Sequence, residues 1–286
     1  MSEKIIYKPL RVKIFSIFFR PFKAFHVNPF IPIQAGKSGS KYNLGFLGDD
    51  TGENISHKNK TFSELTAYYW VWKNIKSEYI GFCHYRRYLN FLSPKDKCKA
   101  ISANSKKLYV NLTHSIPAIE NYLHEYDLIL PQRHNLENSI SQLYQTHFSA
   151  SDWEHFTDTI TKLYPQLQTI SDKTFNENRY IYYMLFITKW EYFDEFMTML
   201  FNIFSDLEPK ISVSNNPYKS RVFAFLAERF YNLYIQHLID EKRVKYLELP
   251  FYTIKDSLII KYYLFFIKRA YRLFGRFHYF DSFKPA

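Results

Sequence analysis

Cysteine is scarce: Cys83 and Cys98 are the only two in 286 residues. They offer neither a disulfide framework nor the spacing of a zinc site, so the chain suits a reducing compartment. No HxxxH or HExxH pair supplies a metal motif. His134 and His147 read more simply as surface or core histidines than as ligands. No uninterrupted apolar run approaches the roughly 20 residues that cross a bilayer. The N-terminus lacks a clean apolar core followed by a small-residue cleavage site, so it reads as retained and the chain as cytoplasmic. Glycine is also rare, seven in all, and six lie at or before Gly81. Close approach of backbone to a ligand is therefore expected in the first third. Internal repeats and low-complexity linkers are absent.

Apolar residues, by contrast, make up 47% of the chain, ample for a core, and the net charge is +11. That charge sits at the ends. Residues 1–27 hold six Lys/Arg against Glu3 alone, residues 242–286 hold ten against three acids, and residues 28–241 carry about −1. Both ends are aromatic too. Ile14, Phe15, Ile17, Phe18 and Phe19 sit among Arg11, Lys13, Arg20 and Lys23. From Lys255 to Phe280, Lys261, Lys268, Arg269, Arg272 and Arg276 recur at helical spacing against Leu258, Tyr262, Phe265, Phe266 and Leu273. The pattern predicts segments lying in the interface of an anionic membrane, with a core-packed helix carrying a solvated basic face as the plainer alternative. No known nucleic-acid module accompanies the charge, so nucleic acid is not an expected partner. The chain thus divides into a basic-aromatic segment 1–27, a domain 28–241 and a basic amphipathic segment 242–286.

Chemistry is densest between Gly48 and Tyr88. Gly48-Asp49-Asp50-Thr51-Gly52 reads as a turn, because two glycines bracket side chains that bond their own backbone. Thr61 and Glu64 form a candidate capping box for a helix in which Leu65, Tyr68, Tyr69 and Trp72 share a core-facing stripe. Tyr69, Trp70 and Trp72 could stack on a sugar or base, though such stripes are more often core. Tyr79 to Cys83 reads as a buried strand, parallel to others, which ends in His84-Tyr85-Arg86-Arg87-Tyr88. Ligands of open α/β sheets sit beyond the carboxyl ends of strands, so these residues belong at a cleft rim. Strand alternation would put His84 and Arg86 on one side, Tyr85 and Arg87 on the other. Planar guanidinium forks suit a diphosphate, while an ion-paired surface turn is the plainer reading.

Downstream, residues 93–125 read as a polar excursion ending in a helix over Ile116–His124, followed by a second buried strand from Asp127 and a loop and helix over Gln132–Tyr144. Trp153 to Tyr164 is a helix stopped by Pro165, Tyr180 to Thr188 a central strand, and Glu191–Leu207 and Arg221–Leu238 two more helices. Such alternation argues for an α/β fold with a mostly parallel sheet.

The run Gly48 to Ser56, Asn59, Glu64 to Thr66, Tyr69-Trp70, Trp72 to Asn74 and Tyr79 to Tyr88 resembles the signature of the capsular and exopolysaccharide glycosyltransferase family catalogued as domain of unknown function 4422. The resemblance covers roughly residues 28–240. It includes Phe30–Gly36, Tyr126–Pro131, Met184–Ile187 with Tyr183 where Asn is usual, and Arg221–Arg229 with Ala224 for Gly. The chain is also similar to nucleotide-sugar transferases of the GT-A type, with His84-Tyr85-Arg86 standing where those carry Asp-x-Asp. Relatives begin with an apolar strand and a His-Lys turn. Here Lys4–Tyr7 is either that strand followed by an insertion, or the strand has been replaced.

The resemblance implies a GT-A-like fold and transfer of a sugar, galactose or galactofuranose first, from a UDP-linked donor to a lipid-linked glycan acceptor at the inner face of the bacterial cytoplasmic membrane. A catalytically silent membrane-bound scaffold is the alternative. His84, Arg86 and Arg87 would hold the donor diphosphate. Asp49, Asp50 or Glu228 would serve as the catalytic base, and Gly48, Thr51, Gly52, Asn54, Glu64, Tyr85 and Arg229 would contact substrate. Two mechanisms stay open: the basic strand end stabilises the leaving diphosphate without metal, or Asp49 and Asp50 hold Mn²⁺ or Mg²⁺.

Overall fold

The computed structural model describes residues 11–242 and 244–255. Val12–Phe18 (β1), within the basic N-terminal stretch, is an inner strand of the sheet. Phe30–Gln34 (β2), Leu47–Gly48 (β3), Asn59–Phe62 (α1), Leu65–Asn74 (α2), Tyr79–His84 (β4), Arg87–Leu89 (β5), Lys99–Ser102 (β6), Lys106–His114 (α3), Ile116–Glu125 (α4) and Leu128–Pro131 (β7) follow. The second half contains His134–Asn135 (β8), Ile140–His147 (α5), Ala150–Leu163 (α6), Gln168–Asn176 (α7), Arg179–Tyr180 (β9), Phe186–Lys189 (β10), Trp190–Leu207 (α8), Val222–Asp240 (α9), Tyr246–Leu249 (β11) and Phe251–Lys255 (β12). The fold is mixed α/β, with a mostly parallel central sheet in the order β11-β7-β10-β4-β1-β2-β3.

Strand alternation splits the core into two layers, as period-two side chains must. Phe15, Ile17, Ile80 and Phe82 face the helical layer of α2 and α5–α9, and Tyr68 of α2 stacks on Phe82 with centroids 3.9 Å apart. Val12, Ile14, Tyr79 and Ile187 face the other side, covered by α3, α4 and β12. Gly81 is needed for this packing and not for a ligand, since a Cβ there would lie 2.9 Å from Ile187 and 3.1 Å from Ile14.

The sheet runs past both boundaries drawn from charge. Ile14, Phe15, Ile17 and Phe18 are almost fully buried between β2 and β4, while Arg11 pairs with Glu78 and Lys13 bonds the Lys76 carbonyl. The stretch looked membrane-seeking because cations and apolar residues are interleaved in it, with Lys13 inside the strand itself. Lys4–Tyr7, the candidate named for the first strand, lies outside the described residues. At the far end β11 and β12 belong to the sheet, paired with β7, β5 and β6. The amphipathic pattern from Lys255 to Phe280 lies outside the described residues apart from Lys255 itself. No helix among the described residues is long and apolar enough to cross a membrane.

Two local expectations fail for reasons the structure supplies. The helix that Thr61 and Glu64 were to cap breaks at Ser63 (φ 50°), whose carbonyl accepts from Asn59 Nδ2 at 2.6 Å. Thr61 Oγ1 donates back to the Lys58 carbonyl, and the Glu64 side chain caps nothing. The central strand expected over Tyr180–Thr188 is confined to Phe186–Lys189, antiparallel to both neighbours. Before it, Tyr183 and Met184 take positive φ (75° and 47°), held by side chains: Glu228 accepts the Tyr183 N–H at 2.6 Å and Tyr68 donates to the Met184 carbonyl at 2.7 Å.

Candidate active site

β4 runs parallel to β1 and antiparallel to β10, so the end of β4, the end of β1 and the start of β10 open on the same edge. There a cleft of about 460 Å³ is walled by His84, Arg86 and Arg87, by Glu64 and Tyr68 at the head of α2, by Tyr182–Met184, by His147 and Phe148, and by the first turns of α9. Arg221, Phe225, Glu228 and Arg229 reach it together because spacings of three, four, seven and eight residues share one helical face.

After His84 the chain does not continue as a strand. It reverses through Tyr85-Arg86, with His84 opposite Arg87 in an antiparallel hairpin. The alternation expected for an extended chain is therefore lost: Arg86 and Arg87 both line the cleft, and Tyr85 turns inward. Tyr85 is 1% exposed, with Phe18, Phe19 and Phe22 around its ring and its hydroxyl accepting from Arg20 Nε at 2.8 Å. It is a packing residue, not a wall of the cleft.

Four guanidinium groups line this one cleft, those of Arg86, Arg87, Arg221 and Arg229. The Nε of each is buried without an acceptor among the described residues. Aromatic rings position them: Arg87 lies 3.6 Å over Tyr183, Arg86 5.2 Å from Tyr85, and Arg221 and Arg229 5.4 and 5.7 Å from Phe225. A buried unpaired donor costs free energy of order 1–3 kcal/mol. Four arginines on the wall of a space of this size give it the positive charge and planar donor groups that suit an anion.

His84 does not add to this charge. Burial first, then Arg87, Arg86, Arg221 and Arg20, hold its imidazole well below the ordinary histidine range. The neutral ring's Nδ1 faces the Arg86 N–H and Arg87 Nη1, each at 3.4 Å. With its charge disfavoured by burial, the ring lines the cleft as an acceptor whose Nδ1 faces the backbone of the turn.

Two carboxylates share the cleft. Glu228 accepts from the Tyr180 hydroxyl (2.9 Å), the Tyr183 N–H (2.6 Å) and Arg229 Nη1 (3.2 Å). Glu64 has one oxygen 3.7 Å from Arg221 Nη2, and that oxygen has no hydrogen bond among the described residues.

Asp49 and Asp50, expected as base or metal ligands, are not part of this wall. Asp49 is fully buried, and its carboxylate accepts from the Gly36 N–H (2.7 Å), the Lys37 N–H (3.0 Å) and the Ser56 hydroxyl (2.6 Å). Asp50 pairs with Lys37 at 3.5 Å. A cation would have to compete with three donors already aimed at Asp49, so this pair does not fit a divalent metal. Gly48, Thr51, Gly52 and Asn54 complete the same self-bonded loop: Trp70 Nε1 donates to the Thr51 carbonyl, Asn54 Nδ2 to that of Gly52, and a Cβ on Gly48 would collide with Lys37. None of them lines the cleft. Among the described residues no group of three or more His, Cys, Asp or Glu could hold a metal ion.

The tryptophans of α2 are likewise structural, with Trp72 Nε1 donating to Asp194 and Tyr69 to Glu53. Conversely, sequence reasoning passed over Arg221 and set His147 aside, and both line the cleft. The position of Arg221, four residues before Phe225 and seven before Glu228, was the signal that could have found it.

No curated protein matches the chain. Among solved structures it is similar to the apo structure of WbbM, described as a bifunctional glycosyltransferase, with 29% identity and a TM-score of 0.76 over 85% of this chain. The match takes in 45% of that chain, so this chain spans less than half of its length. A family model described as Domain of unknown function (DUF4422) matches residues 13–241, beginning inside β1 and not at residue 28. With that match covering most of its length, the chain belongs to the DUF4422 family.

Proposed function

We propose that this chain is a glycosyltransferase that moves a sugar from a nucleoside diphosphate donor to a lipid-linked glycan in the synthesis of a cell-surface polysaccharide. The observation that carries the proposal is the set of four arginines, Arg86, Arg87, Arg221 and Arg229, on the wall of one cleft at a strand end. A diphosphate presents paired anionic oxygens that planar forks engage two at a time. As the bond between sugar and phosphate breaks, negative charge grows on the leaving oxygen, and fixed donors stabilise it most at that moment. Arg86, Arg87 and Arg221 would supply this charge without a metal, with Arg229 behind them. Likeness to a bifunctional glycosyltransferase supports the reaction class.

The acceptor hydroxyl loses a proton as it attacks, and a carboxylate within reach would take it. Glu64 is the better placed, since Glu228 is engaged by Tyr180, Tyr183 and Arg229. Glu228 is then a positioning residue that holds the Tyr183 turn under Arg87. Galactosyl and galactofuranosyl donors carried on UDP are the first to try. The expected place of work is the inner face of the cytoplasmic membrane, where a lipid-linked acceptor would lie.

Calorimetric titration with UDP and UDP-sugars, with and without Mn²⁺ and in chelator, tests the proposal. Saturable binding that survives chelator and is lost in Arg86→Ala is the expected result. Binding that vanishes in chelator and returns with Mn²⁺ would overturn the metal-free part. No binding of any nucleotide diphosphate would shift the reading to a catalytically silent scaffold.

A further inference from the structure

Away from the strand end the cleft carries a second group of aromatic rings. Phe148, at the end of α5, lies 4.6 Å from Phe225 of α9 and 6.0 Å from Tyr218, and Tyr218 lies 5.0 Å from Phe225. All three rings line the cleft, with His147 6.4 Å from Tyr218 at their edge. Tyr218 is 48% exposed, unusual for a large side chain in contact with two other rings. Its presentation is set by the backbone: Asn216 Oδ1 accepts from the N–H groups of Tyr218 and Lys219 at 2.9 and 3.2 Å, and the Ser220 N–H donates to the Asn216 carbonyl at 2.8 Å. The backbone that carries the ring is thereby fixed, so less freedom is lost when something stacks on it.

We propose that Phe148, Tyr218 and Phe225 form the shelf on which the sugar ring of the acceptor glycan stacks, a proposal that rests on the transferase function above. A pyranose has C–H faces and hydroxyl edges. The electron-rich face of an aromatic ring attracts those C–H groups, and polar side chains at the rim bond the hydroxyls and set the orientation. Both halves are in place. Arg221 lies 5.4 Å from the Phe225 ring and 3.7 Å from Glu64, so a sugar on the shelf has its edge within one guanidinium of the carboxylate that would take its proton. The strand-end side, where Phe19 lies 5.2 Å from His84, is left to the nucleotide. A lipid chain would need an apolar enclosure, and this wall is interrupted by Glu64, Arg221 and His147.

Saturation-transfer NMR tests the shelf. Aromatic protons are irradiated, and transfer to methyl glycosides of galactose, glucose, mannose and N-acetylglucosamine is measured with and without UDP, UDP affinity being followed separately. At least one glycoside is expected to receive saturation at its ring C–H protons. Tyr218→Ala should weaken that binding by roughly tenfold, Tyr218→Phe should restore it, and UDP should bind both variants. Absence of transfer to every glycoside, in either condition, overturns the proposal. Loss of UDP affinity in Tyr218→Ala with glycoside binding intact also overturns it, making the rings a platform for the nucleobase. Failure of UDP to bind the unmodified protein counts against the transferase function, and the glycoside measurement without nucleotide still decides the shelf.

Discussion

The Gly48–Gly52 loop and the Tyr85-Arg86 turn belong to one run of sequence, are equally rich in polar groups, and behave oppositely. Asp49 receives three donors from Gly36, Lys37 and Ser56, and Asp50 faces Lys37. In the turn, Arg86 and Arg87 rest against rings and keep buried Nε groups without acceptors among the described residues. The first region spends the Asp49 carboxylate on its own chain, and Asp50 Oδ1 alone there is left with an ion pair to Lys37 and no hydrogen bond among the described residues. The second rests its guanidinium groups on rings and not on carboxylates, which leaves their charge for the anion proposed above.

The comparison is sharpened most strongly by Glu64→Gln. Turnover of the donor and acceptor pair should fall by about 10²–10⁴ with UDP affinity retained, as loss of a proton acceptor requires. Unchanged turnover would return the base to Glu228 or elsewhere. Arg86→Ala comes next. Removing a desolvated charge partner costs roughly 2–5 kcal/mol, so UDP affinity should drop at least thirtyfold while the melting temperature holds. Asp49→Ala should do the reverse: roughly 3 kcal/mol of stability lost through three stranded donors, about 5–10 °C in melting temperature, with UDP affinity per folded molecule intact. If Asp49→Ala instead abolished UDP binding in a stable protein, the contrast between the two regions would collapse.

The smallest effect concerns His84. Its folded pKa is lowered by burial and by Arg87, Arg86, Arg221 and Arg20, so between that value and about 6.5 the unfolded chain binds the proton and the folded one does not. Stability from this group is present above the unfolded value and is lost as pH falls below it. The melting temperature should decline by a few degrees from pH 7 to pH 5, and His84→Gln should flatten that slope. An unchanged slope would show that the imidazole is not held neutral.

Much of this was legible beforehand where the physics is local. The apolar period of Tyr79–Cys83 marked a buried strand, and it is one. The stripes of Glu191–Leu207 and Arg221–Leu238 marked α8 and α9 to within a residue or two at either end. The strand end at His84 pointed to the cleft, and Arg86, Arg87, Glu64, Glu228 and Arg229 all line it. The sheet runs past the N-terminal boundary because charge was counted by segment, whereas Ile14 and Phe15 face core on opposite sides of a strand whose cations pair outside it. The Gly48–Gly52 loop was over-read because turn-forming residues look alike whether their side chains bond the chain or a ligand.

Residue type and period settle which stretches become helix or strand, since those depend on neighbours within a few positions, and they mark polar groups as capable of chemistry. Whether a polar group is spent or available depends on partners that sequence distance hides. Gly36 reaches Asp49 across thirteen residues and Tyr183 reaches Glu228 across forty-five. Only the packed fold brings Arg221, from a helix far along the chain, to the same cleft as Arg86 and leaves both without a partner for Nε among the described residues.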